Sequence, residues 1–369
     1  MSDKKIKVLH VPFGGLGYGG VSSVIFSIVE NLSNKFLFDS VVFNERCERE
    51  QDFLKYGKLH RIKCYPGGNF PNFIELILRP FVLFFSIYSL CKKEKYDVIH
   101  CHNETEEGIC LLAAKLAKIK IRISHSHNNL SPAKKGLLKK LRNYVSKKLI
   151  SWNATTRISC SKNAGLRLFD KKDFQVIYNS IDLKKFDYRK REKQTKNTIR
   201  FVNVGRYTYQ KNQEFVINIY HKINQFIPDS SLILVGFGED KDKLNKLIKE
   251  LNMEDKISLI PGKNVDISNI FANSDYMIFP SKFEGFGIVL IEAQAMGCFC
   301  FVSDAIQNEA DAGLLMKLSL DLEAEQWSEI ICDYINNRPL IDESNLINNL
   351  NKYSTDVISK QYESIYINS

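Results

Sequence analysis

Short apolar runs ending in glycine-rich or polar loops recur along the chain, and stretches of helical period follow most of them. The first run, Lys5–Val11, leads into the loop FGGLGYGG at Phe13–Gly20, after which Val21, Val24, Ile25, Ile28, Val29 and Leu32 repeat at helical spacing. Apolar runs this continuous suit strands buried on both faces of a parallel sheet. Further strands are expected at Tyr96–Asn103, Lys120–Ser124, Ala154–Ser161 and Phe174–Ile177, with a helix around Gly108–Ala117. A highly charged stretch, Tyr188–Asn197, reads as an exposed linker. The alternation then restarts, with strands at Thr198–Val204, Ser231–Val235, Lys256–Ile260, Tyr276–Phe279 and Phe299–Ser303. A lysine-rich helix is expected at Asp242–Leu251, and the chain closes with helices, the last at about Thr355–Tyr366. The pattern predicts an α/β protein built from two Rossmann-like domains.

Two stretches have a different character. Phe73–Cys91, including FVLFFSIYSLC, is strongly apolar but is interrupted by Glu75, Arg79 and Pro80. Its unbroken part is well short of the roughly 20 residues that span a bilayer. Helices packed in the core or lying at an interface are expected there, and no transmembrane segment. In Ser131–Leu149 the residues Leu137, Leu141, Tyr144, Val145 and Leu149 form one apolar stripe, and lysines and an arginine cover the rest. The stripe is expected to face the core, with the lysines toward an anionic surface.

Composition narrows the class. A chain of 369 residues is too long for one ordinary core and fits two. Nine cysteines lie scattered without a paired framework, and the charged N-terminus passes straight into a strand, so reduced thiols and a cytoplasmic protein are expected. Charge is divided unevenly: residues 1–180 carry 30 Lys and Arg against 15 Asp and Glu, whereas the remainder carries 22 against 27. The basic half points to an anionic partner: membrane phosphates, as in peripheral contact with the inner face of the plasma membrane, nucleic acid, or a pyrophosphate-linked substrate. Nucleic acid is not an expected partner, because the basic stretch holds one aromatic, Tyr144, and no recognised binding motif.

Candidate chemistry sits at the ends of the expected strands. Ser281–Gly297, SKFEGFGIVLIEAQAMG, reads as a strand end, a turn loosened by Gly285 and Gly287, and a helix; Glu284 precedes the helix and Glu292 lies within it. Exposed N–H groups at such a helix start favour an anionic or polyhydroxyl ligand. GRYTYQKN, Gly205–Asn212, places Arg206 and Lys211 on a loop at a strand's carboxyl end. The glycine loop lacks the usual order of a dinucleotide fingerprint, although its backbone can still approach a phosphate. Strand-end histidines at His100, His102, His125 and His127 prompt a zinc reading, but no cysteine or acidic pattern accompanies them. No metal and no cofactor are expected.

The order of these elements resembles the family-4 retaining glycosyltransferases of bacterial capsular and exopolysaccharide synthesis, which have the GT-B fold. The resemblance runs from the glycine loop to about Asp304: Gly19-Gly20, a histidine at a strand end, Asn179-x-x-Asp182, Gly205-Arg206-x4-Lys211, then Glu284-x7-Glu292. Ser180 stands where the family's Asn-Gly-x-Asp has glycine, a departure that holds if the turn needs no positive φ. The resemblance implies two domains facing across a cleft, residues 1–183 with a crossing-back helix at about 354–369, and residues 184–353. It implies that Glu284 faces the donor sugar, Glu292 holds the nucleotide ribose, and Arg206 and Lys211 meet the diphosphate. Gly19 and Gly20 would approach the donor phosphates and the acceptor. His127, with His125 its near rival, would stand beside the transferred sugar. Phe286, Gly287 and Ile288 would line the donor site, and Gly262 and Asn264 the nucleobase.

The implied reaction is transfer of a hexose from a nucleoside diphosphate sugar, UDP-linked before GDP-linked, with retention and without a metal. The implied acceptor is a glycan, or a sugar carried on a lipid diphosphate. Two other readings share the architecture: a non-hydrolysing sugar-nucleotide epimerase and a nucleotide-sugar-binding accessory subunit without turnover.

Overall fold

The computed structural model describes residues 5–12, 15–43, 47–62, 72–102, 106–127, 137–170, 172–191, 198–263, 265–337 and 339–368. Asn264, residues 13 and 14 of the first glycine loop, the start of the basic stretch at 131–136 and most of the charged linker lie outside the described residues. The chain forms two compact units, residues 1–180 with 355–369, and residues 181–354.

The first unit holds strands β1 (Ile6–Val11), β2 (Phe36–Phe43), β3 (Gly57–Ile62), β4 (Val98–Cys101), β5 (Ile121–Ser126), β6 (Thr156–Ser159) and β7 (Gln175–Val176). Its helices are α1 (Gly20–Leu32), α2 (Glu50–Phe53), α3 (Asn72–Glu94), α4 (Glu107–Leu116), α5 (Leu137–Asn153) and α6 (Lys162–Phe169). The second unit continues with β8 (Ile199–Val204), α7 (Gln213–Phe226), β9 (Ser230–Gly236), α8 (Lys241–Glu250), β10 (Ile257–Pro261) and α9 (Ile267–Ala272). It then adds β11 (Tyr276–Phe279), α10 (Ile288–Ala295), β12 (Phe299–Ser303), β13 (Leu315–Leu318), α11 (Ala324–Asn336) and α12 (Glu343–Asn351). The last helix, α13 (Thr355–Asn368), returns to the first unit.

Both sheets are parallel throughout, with strand orders β3-β2-β1-β4-β5-β6-β7 and β10-β9-β8-β11-β12-β13. In each, the first strand lies inside the sheet and the order reverses beside it. Loops leaving β1 and β4, or β8 and β11, therefore diverge at their carboxyl ends and open a crevice. In the first unit one core cluster joins Leu83, Ile87, Cys110, Leu111 and Ile150 to one face of the sheet. The other face is covered by Val24, Ile25 and Ile28 of α1 with Ile358, Tyr362 and Tyr366 of α13.

The structure adds elements that periodicity had not marked. β2 carries Asp39 at its middle rather than at a ribose-binding strand end, and the carboxylate is fully used. It accepts from Tyr96 Oη at 2.7 Å, from the Lys58 amide at 3.0 Å, and pairs with Lys7 at 3.5 Å. Burial alone would raise its pKa, but the bonds from His60, Tyr96 and Lys58 outweigh burial and hold the carboxyl well below the usual range. β13 was also unexpected, because LMKL is short and only half-buried. Phe73–Cys91 falls within one helix, α3, which runs through Pro80. No helix among the described residues is long and apolar enough to cross a membrane.

One expectation is reversed in part. Of the apolar stripe of α5, Leu141, Tyr144 and Val145 are exposed, while Leu149 is half-buried and Ser146, Ile150 and Asn153 are buried. The cause is close helix packing. A Cβ on Gly108 of α4 would lie 2.7 Å from the Leu149 Cβ and 2.8 Å from the Ser146 carbonyl, so α5 docks with its Ser146–Ile150 turn directly against that glycine. At the join between the units, Ser180 is not among the residues with positive φ, and its hydroxyl meets that of Ser27 at 2.6 Å. The substitution for glycine is thus accommodated.

Gly108→Ala should lower Tm by several degrees. The overlap costs about 1–3 kcal/mol and outweighs the gain of up to about 1 kcal/mol in helix propensity. Differential scanning calorimetry checks it; an unchanged or higher Tm would contradict the close approach.

Candidate active site

In the second unit the chemistry collects at the carboxyl ends of β8 and β11. Lys211 ends the loop after β8 and reaches Glu284, after β11, with Nζ to Oε1 at 2.6 Å. Both side chains are largely shielded, at 18% and 8% exposure, so removing either would strand a buried charge. The lysine stem lies across Gly205, where a Cβ would sit 3.3 Å from its Cδ and Cε, and the ammonium stands 4.6 Å over the Phe279 ring.

Two side chains staple the loops together. Gln210 donates to the Phe283 carbonyl at 2.8 Å, and Asn212 donates to the Pro280 carbonyl at 3.1 Å. Gln213 Nε2 donates to the Arg206 carbonyl at 2.9 Å, which fixes the turn. The Arg206 guanidinium is exposed and makes no ion pair among the described residues.

Gly287 caps α10 at φ 82°, a left-handed conformation that strains any L side chain, so glycine is required there. No side chain caps this helix, and Ile288 opens it with N–H groups that lack intrahelical partners. Phe286 is buried, its ring packed 5.8 Å from that of Tyr353. Only its backbone is thus open to a ligand role. Glu292 lies within α10, half-buried. Burial pushes its carboxyl up to about 7 against the opposing pull of Lys185. Gly262 follows β10, its amide donating to the Gly236 carbonyl at 3.0 Å. A Cβ at Gly236 would fall 2.0 Å from the Gly205 carbonyl oxygen, so the ends of β8, β9 and β10 crowd together.

In the first unit, Gly19 is the N-cap of α1 and Gly20 its first residue; a Cβ on either would meet nothing within 4 Å. Packing gives no reason for these two glycines, which leaves room for a ligand to approach the backbone. Beyond β4 and β5 stand His102 and His127, and with them come His10, His100 and His125. All five rings are buried, and only His127, at 8%, keeps any accessible surface. His10 Nδ1 meets His102 Nε2 at 2.8 Å, and His102 Nδ1 meets His127 Nε2 at 3.0 Å. His100 Nε2 meets His125 Nδ1 at 3.1 Å, and His100 Nδ1 meets the Tyr366 hydroxyl at 2.8 Å. Burial pushes His10 and His127 down to about 3, and holds the other three well below the usual range with help from neighbouring imidazoles. All five are neutral at physiological pH.

Two family profiles match the chain in succession: one described as Glycosyltransferase Family 4 over residues 18–185, the other as Glycosyl transferases group 1 over residues 184–313. The chain belongs to the family-4 glycosyltransferases. It is 25% identical to the putative glycosyltransferase EpsF of Bacillus subtilis over 349 residues, covering 90% of this chain and 88% of that one. It is 31% identical over 257 residues to the UDP-Gal:alpha-D-GlcNAc-diphosphoundecaprenol alpha-1,3-galactosyltransferase of Escherichia coli, covering 63% and 66%. The crystal structure of HepE from Anabaena in complex with UDP matches with a TM-score of 0.77 at 17% identity, over 97% of this chain and 99% of that one. The fold of the glycosyltransferase is thus the GT-B fold.

Several residues that organise the site escaped the motif reading. Gln294, buried in α10, donates to the Ala310 carbonyl at 2.8 Å and accepts from the Ala312 amide at 2.8 Å, anchoring the loop after β12. His10 was hidden within an apolar strand. Its signal was register: it pairs with His100, so the two rings share one face of the glycosyltransferase's first sheet.

Glu292 supplies a stability test. Its folded carboxyl titrates above its unfolded value, so the penalty is absent below about pH 4.5 and complete above about pH 7, where it is worth roughly 3 kcal/mol. Glu292→Gln should therefore raise Tm at pH 8 by a few degrees, with the gap closing toward pH 5. An equal or lower Tm at pH 8 in a fluorimetric melt would mean the carboxylate is not shielded.

Proposed function

We propose that this glycosyltransferase moves a hexose from a UDP-sugar to a sugar carried on a lipid diphosphate, with retention at the anomeric carbon and without a metal ion. The observation that carries this reading is the shielded Lys211–Glu284 pair at 2.6 Å, set at the crevice where the strand order of the second unit reverses. Breaking the bond between sugar and diphosphate leaves negative charge on the departing UDP. An ammonium has three donors, of which Glu284 takes one, so Lys211 keeps others for phosphate oxygens. Arg206 adds a second cation with a fork that suits two oxygens at once. Fixed cations in a shielded site stabilise that charge without reorganisation, which is the work a divalent ion would otherwise do.

The remaining assignments follow the same chemistry. Glu284, held by Lys211, accepts from a hydroxyl of the donor sugar, and Glu292 accepts from the ribose hydroxyls. Backbone at Phe286, Gly287 and Ile288 serves the diphosphate side, while Gly262 and Asn264 read the base edge. From the first unit, Gly19 and Gly20 allow close approach of phosphate or acceptor, and His127 contacts a sugar oxygen. The UDP complex of HepE and the UDP-galactose and diphosphoundecaprenol in the name of the Escherichia coli relative support the donor and acceptor classes.

Outward apolar residues support attachment to the inner face of the plasma membrane. Helices α3, α4 and α5 share one core cluster and cover one face of the sheet. Their outer side exposes Phe81, Phe85, Leu141, Tyr144 and Trp152. A hollow of about 220 Å³ beside them is lined by Lys147, Lys148, Trp152, Arg157 and Lys172 and by Asp170, which pairs with Lys147 at 2.9 Å; the remaining cations suit an anionic headgroup.

Calorimetric titration in EDTA tests the donor site: UDP should bind, GDP more weakly, and NAD not at all. Arg206→Ala should weaken UDP ten- to a hundredfold, the value of a charge-assisted bond, without moving Tm. Binding of NAD alone, or of UDP only with metal, would defeat the reading. Analysis of the turnover product by NMR separates the proposed transfer from an epimerase, whose product stays nucleotide-linked, and reads the anomeric configuration directly. For the membrane, Leu141→Ser with Trp152→Ser should abolish flotation with anionic vesicles at low salt. Failure of the unaltered protein to float would reject the attachment.

A further inference from the structure

The five buried histidines are ordered, and their geometry distinguishes two explanations. Nitrogens sharing a zinc ion at bonds of 2.0–2.1 Å and a tetrahedral angle lie about 3.3 Å apart, with their rings converging on one point. Here the linked nitrogens are closer, and ring centroids stand at 5.1, 5.3 and 5.3 Å for N···N distances of 2.8, 3.0 and 3.1 Å. In each pair the difference is close to two ring radii, so the rings point edge to edge at one another. That is the geometry of N–H···N hydrogen bonds between neutral imidazoles.

Two chains result: His10–His102–His127, and Tyr366–His100–His125. They lie against one another, with His100 stacked over His102 at 4.0 Å and His125 tilted over His127 at 3.8 Å, which hinders ring rotation. The direction of the first chain follows from its ends. Its inner end, His10 Nε2, is buried without a hydrogen-bond partner among the described residues. A neutral imidazole carries one N–H and one lone pair. If the protons ran inward, His10 would bury an unpaired N–H, the rarer and costlier orphan; if they run outward, it buries only a lone pair. Outward running makes His10 Nδ1 donate to His102 Nε2, and His102 Nδ1 donate to His127 Nε2. His127, at the open end, is left with its proton on Nδ1.

We propose that His10 and His102 are positioning residues that lock His127 as a neutral Nδ1–H donor, so that its ligand is an oxygen acceptor, such as a hydroxyl oxygen of the sugar, and His127 does not serve as a base. This rests on the reading of His127 as a site residue.

The test uses the full-length protein with ¹⁵N-labelled histidine, and long-range ¹H–¹⁵N spectra, with His127→Asn to assign the signal. In the unaltered protein His127 should show a protonated Nδ1 and a bare Nε2; the opposite pattern overturns the proposal. His102→Asn keeps a donor amide near the position of Nδ1, whereas His102→Asp, nearly the same shape, can only accept and draws the His127 proton onto Nε2. The Asn variant should therefore keep the tautomer and exceed the Asp variant at least tenfold in kcat/KM. Equal tautomers in the two variants would overturn the proposal. So would one equivalent of metal in the purified protein whose removal by EDTA shifts the histidine signals. If the tautomers behave as stated but His127→Asn transfers sugar at full rate, the chain stands and the placing of His127 in the site fails.

Discussion

A parallel sheet whose first strand lies in its interior must let its connections depart in opposite directions, and the site of the second unit depends on that constraint. β8 stands between β9 and β11, so the loops after β8 and β11 separate above the sheet and leave a crevice. Lys211 and Glu284 meet across it because Gln210 and Asn212 draw the two loops together, and because Gly205 leaves room for the lysine stem. The first unit repeats the arrangement with β1 between β2 and β4. There the reversal brings together imidazoles from three strands rather than a lysine and a carboxylate.

What could be read from the sequence divides along physical lines. Strands were legible where burial on both faces makes the apolar run continuous, as in β1, β8 and β11. β2 was obscured by Asp39, whose partners Tyr96 and Lys58 are distant in sequence. Candidate site residues stand out in the sequence where a motif is local, as for Arg206 with Lys211, or Glu284 with Glu292. Residues that hold those loops from elsewhere, such as Gln294 and His10, act through tertiary contacts that no local spacing encodes. The orientation of α5 was misjudged for a related reason. Hydrophobic periodicity identified the stripe, but the close approach of Gly108 to Ser146, 38 positions away, decided which face turned inward.

Several features carry a stability penalty that packing alone does not explain. Glu292 is held where its charge is disfavoured, five imidazoles occupy space that aliphatic side chains could fill, and α5 leaves leucine, valine and tyrosine in water. These departures lie at strand carboxyl ends, in the helix that follows β11, or on one outer helical layer. Burial of polar groups and exposure of apolar ones coincide with the places where ligand and lipid contacts are proposed.

The return of α13 to the first unit has a consequence for how the polypeptide is made. The chain leaves the first unit after Ser180 and re-enters at Thr355, with the Ile181 amide bonded to the Tyr353 carbonyl at 2.8 Å where outgoing and returning segments meet. Ile358, Tyr362, Ile365 and Tyr366 complete one core layer, and the Tyr366 hydroxyl closes the hydrogen bond to His100. During synthesis those residues emerge only after the whole of the second unit. The second unit is therefore complete while the first, although translated earlier, still exposes the apolar face of α1 and an unfinished histidine chain. Emergence of α13, rather than the order in which the two units are translated, sets the moment at which the first unit can close its core.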